Sequence, residues 1–157
     1  MYTAISKKLL TFGMAIGLSL FSGMTMAIGQ IAVVTNDIVV ETGEELSAIV
    51  ALSGDARYDV YVAITGGAFG NGFMVFDANN VLIPWDLKST PAKLRDNVDL
   101  ASLSVKDRVI KLFPRLPLEN AVGHYSIYAV LSAPGQFQQQ LQESTLIIDG
   151  PLNIEVK

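Results

Sequence analysis

The sequence contains no cysteine, and this absence removes several kinds of chemistry at once. Disulfides, thiolate metal sites and cysteine nucleophiles are all excluded. Histidine is scarce as well, since His124 is the only one. One imidazole without cysteine does not make a typical zinc site, and as a general base it would need a catalytic serine and an orienting acid beside it. We therefore expect no cofactor and no enzymatic activity, with His124 on the solvent side of a strand.

Basic residues are also few. The chain carries 11 Lys and Arg against 15 Asp and Glu, which gives a formal net charge of −4. Lysine and arginine supply most of the affinity for nucleic acid and for anionic membrane surfaces. After residue 27 no apolar run approaches the roughly 20 residues that a transmembrane helix requires. We therefore expect no nucleic-acid partner and no membrane span after that point.

The first 27 residues have the three parts of a secretory signal peptide. Lys7 and Lys8 provide a short cationic start, and the uncharged apolar run Leu9–Phe21 is only 13 residues long. Small residues at Thr25 and Ala27 then predict cleavage before Ile28. This predicts an exported domain of residues 28–157 in the periplasm, at the cell surface or in the medium. A small exported domain without disulfides fits a bacterial cell better than a eukaryotic secretory route.

Short runs of β-branched and aromatic residues recur along residues 28–157, separated by Gly, Asn, Asp and Pro. This pattern predicts an all-β fold, an antiparallel β-sandwich of about seven to eight strands. In the last strand Leu146, Ile148, Leu152, Ile154 and Val156 share one parity, interrupted by Gly150-Pro151, which indicates an edge strand, a bulge or two short strands. The expected strands cover residues 30–35, 38–41, 46–52, 58–64, 73–76, 81–85, 108–113, 124–132 and 146–156. A hairpin turn is expected at residues 77–80, because Asn and Asp tolerate the left-handed backbone.

Residues 86–107 do not follow the strand pattern. Pro91 opens a stretch that contains Leu94, Val98 and Leu103, and Pro91 could serve as a first helical residue, so a short helical turn is a possibility within residues 91–103. A connection of this length is unusual in a compact domain, and such segments often carry function or cover a sheet edge.

The segment from Leu118 to Ala129 contains Gly123-His124-Tyr125-Ser126-Ile127. This resembles the corner that leads into the sixth strand of immunoglobulin-like and fibronectin-like domains, where a tyrosine hydroxyl bonds back to the corner. The resemblance implies an immunoglobulin-like sandwich with Tyr125 as the corner tyrosine. The chain departs from the antibody pattern because Ile127 stands where those domains place a cysteine. An ordinary half-buried strand tyrosine is the alternative interpretation of Tyr125.

Two loop segments are candidates for ligand binding, because loops dominate recognition on such scaffolds. The glycine-rich segment 66–72 lacks the Lys-Ser/Thr and the helix of a phosphate loop. It is therefore interpreted as a flexible connection whose Phe69 and Asn71 are available for contact. The glutamine-rich segment 136–142 is interpreted either as a solvated tip between strands or as an adaptable contact surface that includes Phe137, Gln138 and Gln140.

Acidic residues offer two further candidates. Asp96 and Asp99 lie close together in the loop and are a weak candidate for calcium, although the spacing and glycine of an EF-hand loop are missing. Asp55 with Asp59, or Asp96 with Asp99, are candidates for the paired carboxylates of a glycoside hydrolase. A solvated or helix-capping acidic turn is the alternative for Asp96 and Asp99.

Together these features predict a non-catalytic interaction module that recognises a protein or a glycan through its loops. The alternative is a structural or filament subunit that self-associates through an exposed edge strand, such as residues 31–34 or 152–156. A hydrolase that depends on Asp or Glu is the third hypothesis.

Overall fold

The computed structural model describes residues 28–41, 44–117 and 121–157, so the predicted signal peptide and Leu118–Asn120 lie outside the described residues. The described chain forms ten strands, one α-helix and one turn of 3-10 helix. The elements are β1 (Gln30–Thr35), β2 (Val39–Val40), β3 (Glu45–Ser53), β4 (Arg57–Gly66), the 3-10 turn (Gly67–Phe69), β5 (Phe73–Phe76), β6 (Leu82–Trp85), β7 (Arg95–Asp99), β8 (Val109–Pro117), β9 (Gly123–Ser132), α1 (Phe137–Gln142) and β10 (Ile147–Val156).

The strands form a small and a large sheet. The small sheet has the order β1-β3-β8, and both of its pairings are antiparallel. The large sheet has the order β2-β10-β9-β4-β5-β6, with β7 pairing with the first half of β4. All pairings of the large sheet are antiparallel except that of β2 with the end of β10.

Alternation within the strands creates the core between the sheets. In β3 every second residue is buried, and the same period recurs in β1 and in β9. Successive side chains of a strand point to opposite faces, so each alternating strand has one apolar inner face. The buried cluster draws on the small sheet through Ile31, Val33, Leu46, Val50, Leu52, Ile110 and Leu112, and on the large sheet through Val60, Val62, Ile64, Ile127, Ala129, Leu131, Ile154 and Val156.

These features confirm the predicted all-β fold, and two sheets over a shared core are compatible with a β-sandwich. The number of strands is ten among the described residues rather than seven or eight. The predicted hairpin turn at residues 77–80 is present, and Asn80 adopts the left-handed backbone with φ 65°.

The predicted helical turn within residues 91–103 is wrong. Residues 95–99 form β7, which pairs with β4 across an irregular register. Leu94 is fully buried and Val98 packs against the core, so their four-residue spacing reflects a distorted strand and not a helix. Asn97 adopts the left-handed conformation with φ 48° within this distortion. Tertiary pairing with β4 therefore overrides a weak local helical pattern.

The last strand contains the bulge that Gly150-Pro151 indicated. Asp149 pairs with Ala129 and Leu152 pairs with Ile127, so β10 has one more residue than β9 between these pairs. An extra residue in one strand turns the side chains beyond it to the opposite face of the sheet. Ile148 is consequently 54% exposed, so the prediction that it shares the inner face with Ile154 is wrong.

Side chains engage both edge strands of the small sheet, and a short strand lies at one edge of the large sheet. The carboxylate of Asp149 accepts a hydrogen bond from the Val33 N–H of edge strand β1 at 2.8 Å. The side-chain amide of Asn80 donates to the carbonyls of Lys111 and Leu112 on edge strand β8 at 2.5 and 2.8 Å. Strand β2 covers the final residues of β10. Edge groups engaged in this way are less available for pairing with another chain.

Candidate functional site

Tyr125 lies at the start of β9 and forms the corner that the sequence predicted. Its hydroxyl donates to the Ala121 carbonyl at 2.8 Å and accepts a hydrogen bond from the Ala68 N–H at 3.1 Å. The ring is buried, and Phe69 packs edge-on against it with 5.9 Å between the centroids. One tyrosine therefore joins the entry to β9 with the glycine-rich segment between β4 and β5.

The backbone of the glycine-rich segment is therefore more constrained than its composition predicted. Residues 67–69 form the 3-10 turn, and the Thr65 hydroxyl donates to the Gly72 carbonyl at 2.8 Å. Phe69 is half-buried against the core, so the prediction that it stands exposed at a loop tip is wrong. Asn71 is exposed, and its role in binding stays a prediction.

The glutamine-rich segment forms α1 rather than a strand tip. Phe137 is buried, with its ring 4.6 Å from that of Tyr61, so it anchors the helix to the large sheet instead of facing a partner. The side-chain oxygen of Gln140 accepts a hydrogen bond from the Ala133 N–H at 2.7 Å and so closes the loop before the helix. Gln138 is half-buried, and a contact role for its amide stays a prediction.

The structure does not bring the two predicted binding segments together at one end. Gly66 pairs with Tyr125 at one end of the β4–β9 pair, whereas Asp59 pairs with Ser132 at the other. The glycine-rich segment follows the first end and α1 follows the second. What lies between them is the outer face of the large sheet.

That outer face carries a cluster of aromatic side chains. Phe73 and Trp85 meet edge-to-face with 6.2 Å between their centroids, and Phe73 lies 6.4 Å from Tyr128. Trp85 also lies 6.1 Å from the ring of Phe137, which packs against one side of the cluster. The indole N–H of Trp85 donates to the Ser89 carbonyl at 2.8 Å, which fixes the ring orientation. We call Phe73, Trp85 and Tyr128, which are all half-buried, the aromatic face.

Strand parity explains how the aromatic face arises. Phe73 pairs with Trp85 across the β5–β6 hairpin, and cross-strand partners point to the same side of a sheet. Met74 and Leu82 point to the other side and pack against the core. The sequence pattern predicts the inner faces of the strands and does not by itself show which outer-face side chains lie together, so the aromatic face was not predicted. The sequence does contain a signal for this face, which is aromatic residues at strand positions that alternate with core-facing positions.

A buried carboxylate supports this face from behind α1. Asp59 is fully buried, and its two oxygens accept hydrogen bonds from the Asn97 N–H and the Gly135 N–H, both at 2.8 Å. Lys93 forms an ion pair with it at 2.8 Å, and the Tyr61 hydroxyl lies 3.4 Å away. One side chain of β4 thereby holds the segment before β7 and the loop before α1.

The electrostatics of this anchor follow from its partners. Burial by itself raises the pKa of Asp59, but the hydrogen bonds from Gly135, Lys93 and Asn97 outweigh it, and the pKa lies below its usual 3.8. The carboxylates of Asp59 and Asp96 both pair with Lys93 and raise the pKa of its ammonium group. The anchor is therefore a charged pair at neutral pH.

The members of each acidic pair proposed for catalysis or calcium differ in their partners or in their burial. Asp96 binds Lys93 at 2.6 Å, whereas Asp99 pairs with Arg57 at 3.5 Å. Asp55 is exposed while Asp59 is sealed in the interior. In the part of the chain that the structure describes, no group of three or more His, Asp or Glu side chains is arranged to hold a metal ion. His124 is exposed, as predicted from its position beside Tyr125.

None of the helices within the described ranges has the length and apolarity needed to cross a membrane. No protein-family model matches the chain, and searches of curated proteins and solved structures give no significant match. The class of protein is therefore defined here by the fold, an all-β chain of two sheets with an aromatic face.

Proposed function

We propose that this protein is an exported, non-catalytic module that binds glycans on the aromatic face of an immunoglobulin-like sandwich. The observation that carries the proposal is the row of half-buried rings formed by Phe73, Trp85 and Tyr128. Such rings offer apolar contact area at little cost in conformational entropy. Tryptophan and tyrosine are also the side chains that most often dominate the energy of a binding surface.

The arrangement of the rings favours a sugar chain over a deep-bound small molecule. The rings lie on the surface of a sheet, where the flat apolar faces of pyranose rings can stack against them. The Trp85 indole is already fixed by its hydrogen bond to Ser89 and its contact with Phe137, so binding a ligand costs little side-chain entropy.

The immunoglobulin-like assignment is supported by the corner at Tyr125. Its hydroxyl bonds to the carbonyl four residues upstream, which is the contact that defines a tyrosine corner. Two sheets over a common core, antiparallel except where β2 pairs with β10, agree with that architecture. Export is supported by the signal-peptide pattern of residues 1–27.

The filament alternative is disfavoured by the contacts at the sheet edges. A strand from a second copy that added to the small sheet would have to displace Asp149 from Val33 on β1, or Asn80 from Lys111 and Leu112 on β8. Both displacements remove hydrogen bonds that already satisfy the edge. We therefore place binding on a face and not on an edge strand.

The test is a glycan-array screen followed by calorimetry on the protein and on Trp85→Ala. We expect at least one oligosaccharide to bind, and the variant to lose about 30-fold in affinity, equivalent to about 2 kcal/mol. Val105→Ala, at an 87% exposed residue in a turn, is the matched control and should bind normally. Tyr128→Phe, which keeps the ring, should also bind.

Three results would count against the proposal. Binding that survives both Trp85→Ala and Tyr128→Ala would move the site elsewhere. Turnover of a bound oligosaccharide that is lost on changing one acid would favour the hydrolase hypothesis. Absence of binding to every glycan, together with capture of one defined protein through the same rings, would make the ligand a protein.

A further inference from the structure

An open groove of about 810 Å³ lies between β7, the turn at residues 103–107 and β8. This volume is within the range of sites that hold small molecules. The groove is lined by residues that do not belong to the aromatic face, so it is a separate candidate site.

The floor of the groove is apolar. Leu52 and Ile110 are core residues of the small sheet, and Val98 and Leu103 are half-buried side chains that pack against the core. An apolar ligand lying here would therefore extend the hydrophobic core toward the solvent. Its burial would be favourable roughly in proportion to the apolar area that it covers.

The rim of the groove is cationic. Arg95, Lys106 and Lys111 are exposed around it, and the acid that accompanies them, Asp107, accepts a hydrogen bond from the Ser104 hydroxyl. In the described part of the chain neither Lys106 nor Lys111 forms an ion pair. A positive rim in a chain of net charge −4 is complementary to an anionic group.

The edge of β8 argues against a peptide as the occupant. An extended peptide gains affinity by pairing its backbone with a free strand edge. Here Asn80 already donates to the Lys111 and Leu112 carbonyls, and the Val109 N–H donates to the Lys106 carbonyl at 3.4 Å. A peptide on the apolar floor would leave polar backbone groups without partners, which is costly, whereas an alkyl chain brings none.

We propose that this groove binds an anionic amphiphile, with its alkyl chain on Val98 and Leu103 and its head group between Lys106 and Lys111. A fatty-acid carboxylate and an alkyl phosphate share this chemistry. The inference rests on the groove alone and is independent of the glycan proposal.

The test is isothermal titration calorimetry with three amphiphiles of equal chain length, each kept below its micellar concentration. Dodecanoate and dodecyl phosphate should bind, and dodecyltrimethylammonium should bind at least tenfold more weakly. The double variant Lys106→Gln/Lys111→Gln should lose roughly tenfold in affinity for both anions, since each rim contact contributes up to about 1 kcal/mol. Val98→Thr should weaken binding of both anions as well.

Lys88→Gln is the matched control, because Lys88 is exposed outside the groove, and it should leave both affinities unchanged. Thermal unfolding of each variant checks that the fold is retained, and amide chemical shifts should move at residues 95–98 and 103–111. A preference for one anion identifies the head group, and equal affinity shows that charge alone is recognised. Failure of both anions to bind, equal binding of the cation, or full affinity in the double variant would overturn the proposal.

Discussion

The glycine-rich segment and the glutamine-rich segment looked alike in the sequence, since both were expected to be adaptable loops, yet the fold holds them in different ways. The glycine-rich segment is held by a neutral side chain, the hydroxyl of Tyr125. The glutamine-rich segment is held by a charged one, the carboxylate of Asp59. Tyr125 is thus the neutral support of one loop and Asp59 the charged support of the other, and we propose the sheet between the two loops as the binding surface.

The largest expected effect comes from removing the charged support. Asp59→Ala leaves the N–H groups of Gly135 and Asn97 without their acceptor and Lys93 without its buried partner. We expect a loss of about 3–5 kcal/mol in the free energy of unfolding, as for other broken buried pairs. Urea denaturation measures it. Asp55→Ala, at an exposed position four residues earlier, is the control and should change stability by less than about 0.5 kcal/mol.

Crowding the neutral support should have the next largest effect. Gly67 has φ 52°, and a Cβ added there would overlap the ring of Tyr125. Gly67→Ala should therefore destabilise the protein by about 1–3 kcal/mol through overpacking, in addition to backbone strain. Gly70→Ala is the comparison variant, because Gly70 also has a positive φ, 58°, so it adds backbone strain, but nothing lies within 4 Å of its Cβ. Equal losses for the two variants would mean that the overlap with Tyr125 is unimportant.

Removing only the hydroxyl of the neutral support should cost less. Tyr125→Phe deletes the acceptor of the Ala68 N–H and the donor to the Ala121 carbonyl while keeping the ring. We expect a loss of about 1–2 kcal/mol and faster hydrogen exchange at the Ala68 amide. Tyr128→Phe, on the aromatic face, should change neither quantity. Unchanged exchange at Ala68 in Tyr125→Phe would contradict the role given to this hydroxyl.

The smallest expected effect is a difference between the Asp59 carboxylate and the Tyr125 hydroxyl in their response to acid. The pKa of Asp59 is lower in the folded chain than its usual 3.8, so the stability it provides is fully present above that value. This stability is lost as the pH falls through the folded-state pKa. In an NMR titration the Gly135 amide should therefore shift below pH 3.8, and the Ala68 amide, which is held by a hydroxyl, should not follow it. A Gly135 amide that titrates above this pH would mean that the carboxylate is not held as described.

The sequence predicted those parts of the fold whose causes are local. The alternation in β3, the hairpin at residues 77–80 and the bulge at Gly150-Pro151 were all recognisable from neighbouring residues. β7 was not, because it exists only through its pairing with β4. Asp59 was not recognised as an anchor either, because its partner Gly135 lies 76 residues away. Local patterns carry no information about such a contact.

The candidate site was predicted less well for a related reason. Phe69 and Phe137 were predicted as contact residues because they are large side chains in flexible or polar segments. Both instead pack against the fold, Phe69 on the core and Phe137 beneath α1. The rings of the aromatic face lie within regular strands, where aromatic residues are ordinarily assigned to the core. Only the pairing of β5 with β6 shows that Phe73 and Trp85 share the outer side.

The most direct test of the glycan proposal uses Trp85, which is the only tryptophan in the sequence. Its fluorescence should be followed while the best oligosaccharide from the array is added to the full-length chain and to Phe73→Ala. The account predicts a saturable blue shift in the protein and a markedly weaker midpoint in the variant, because the ligand covers the indole and stacks on the neighbouring ring. Binding detected by calorimetry without any change in Trp85 emission would contradict it.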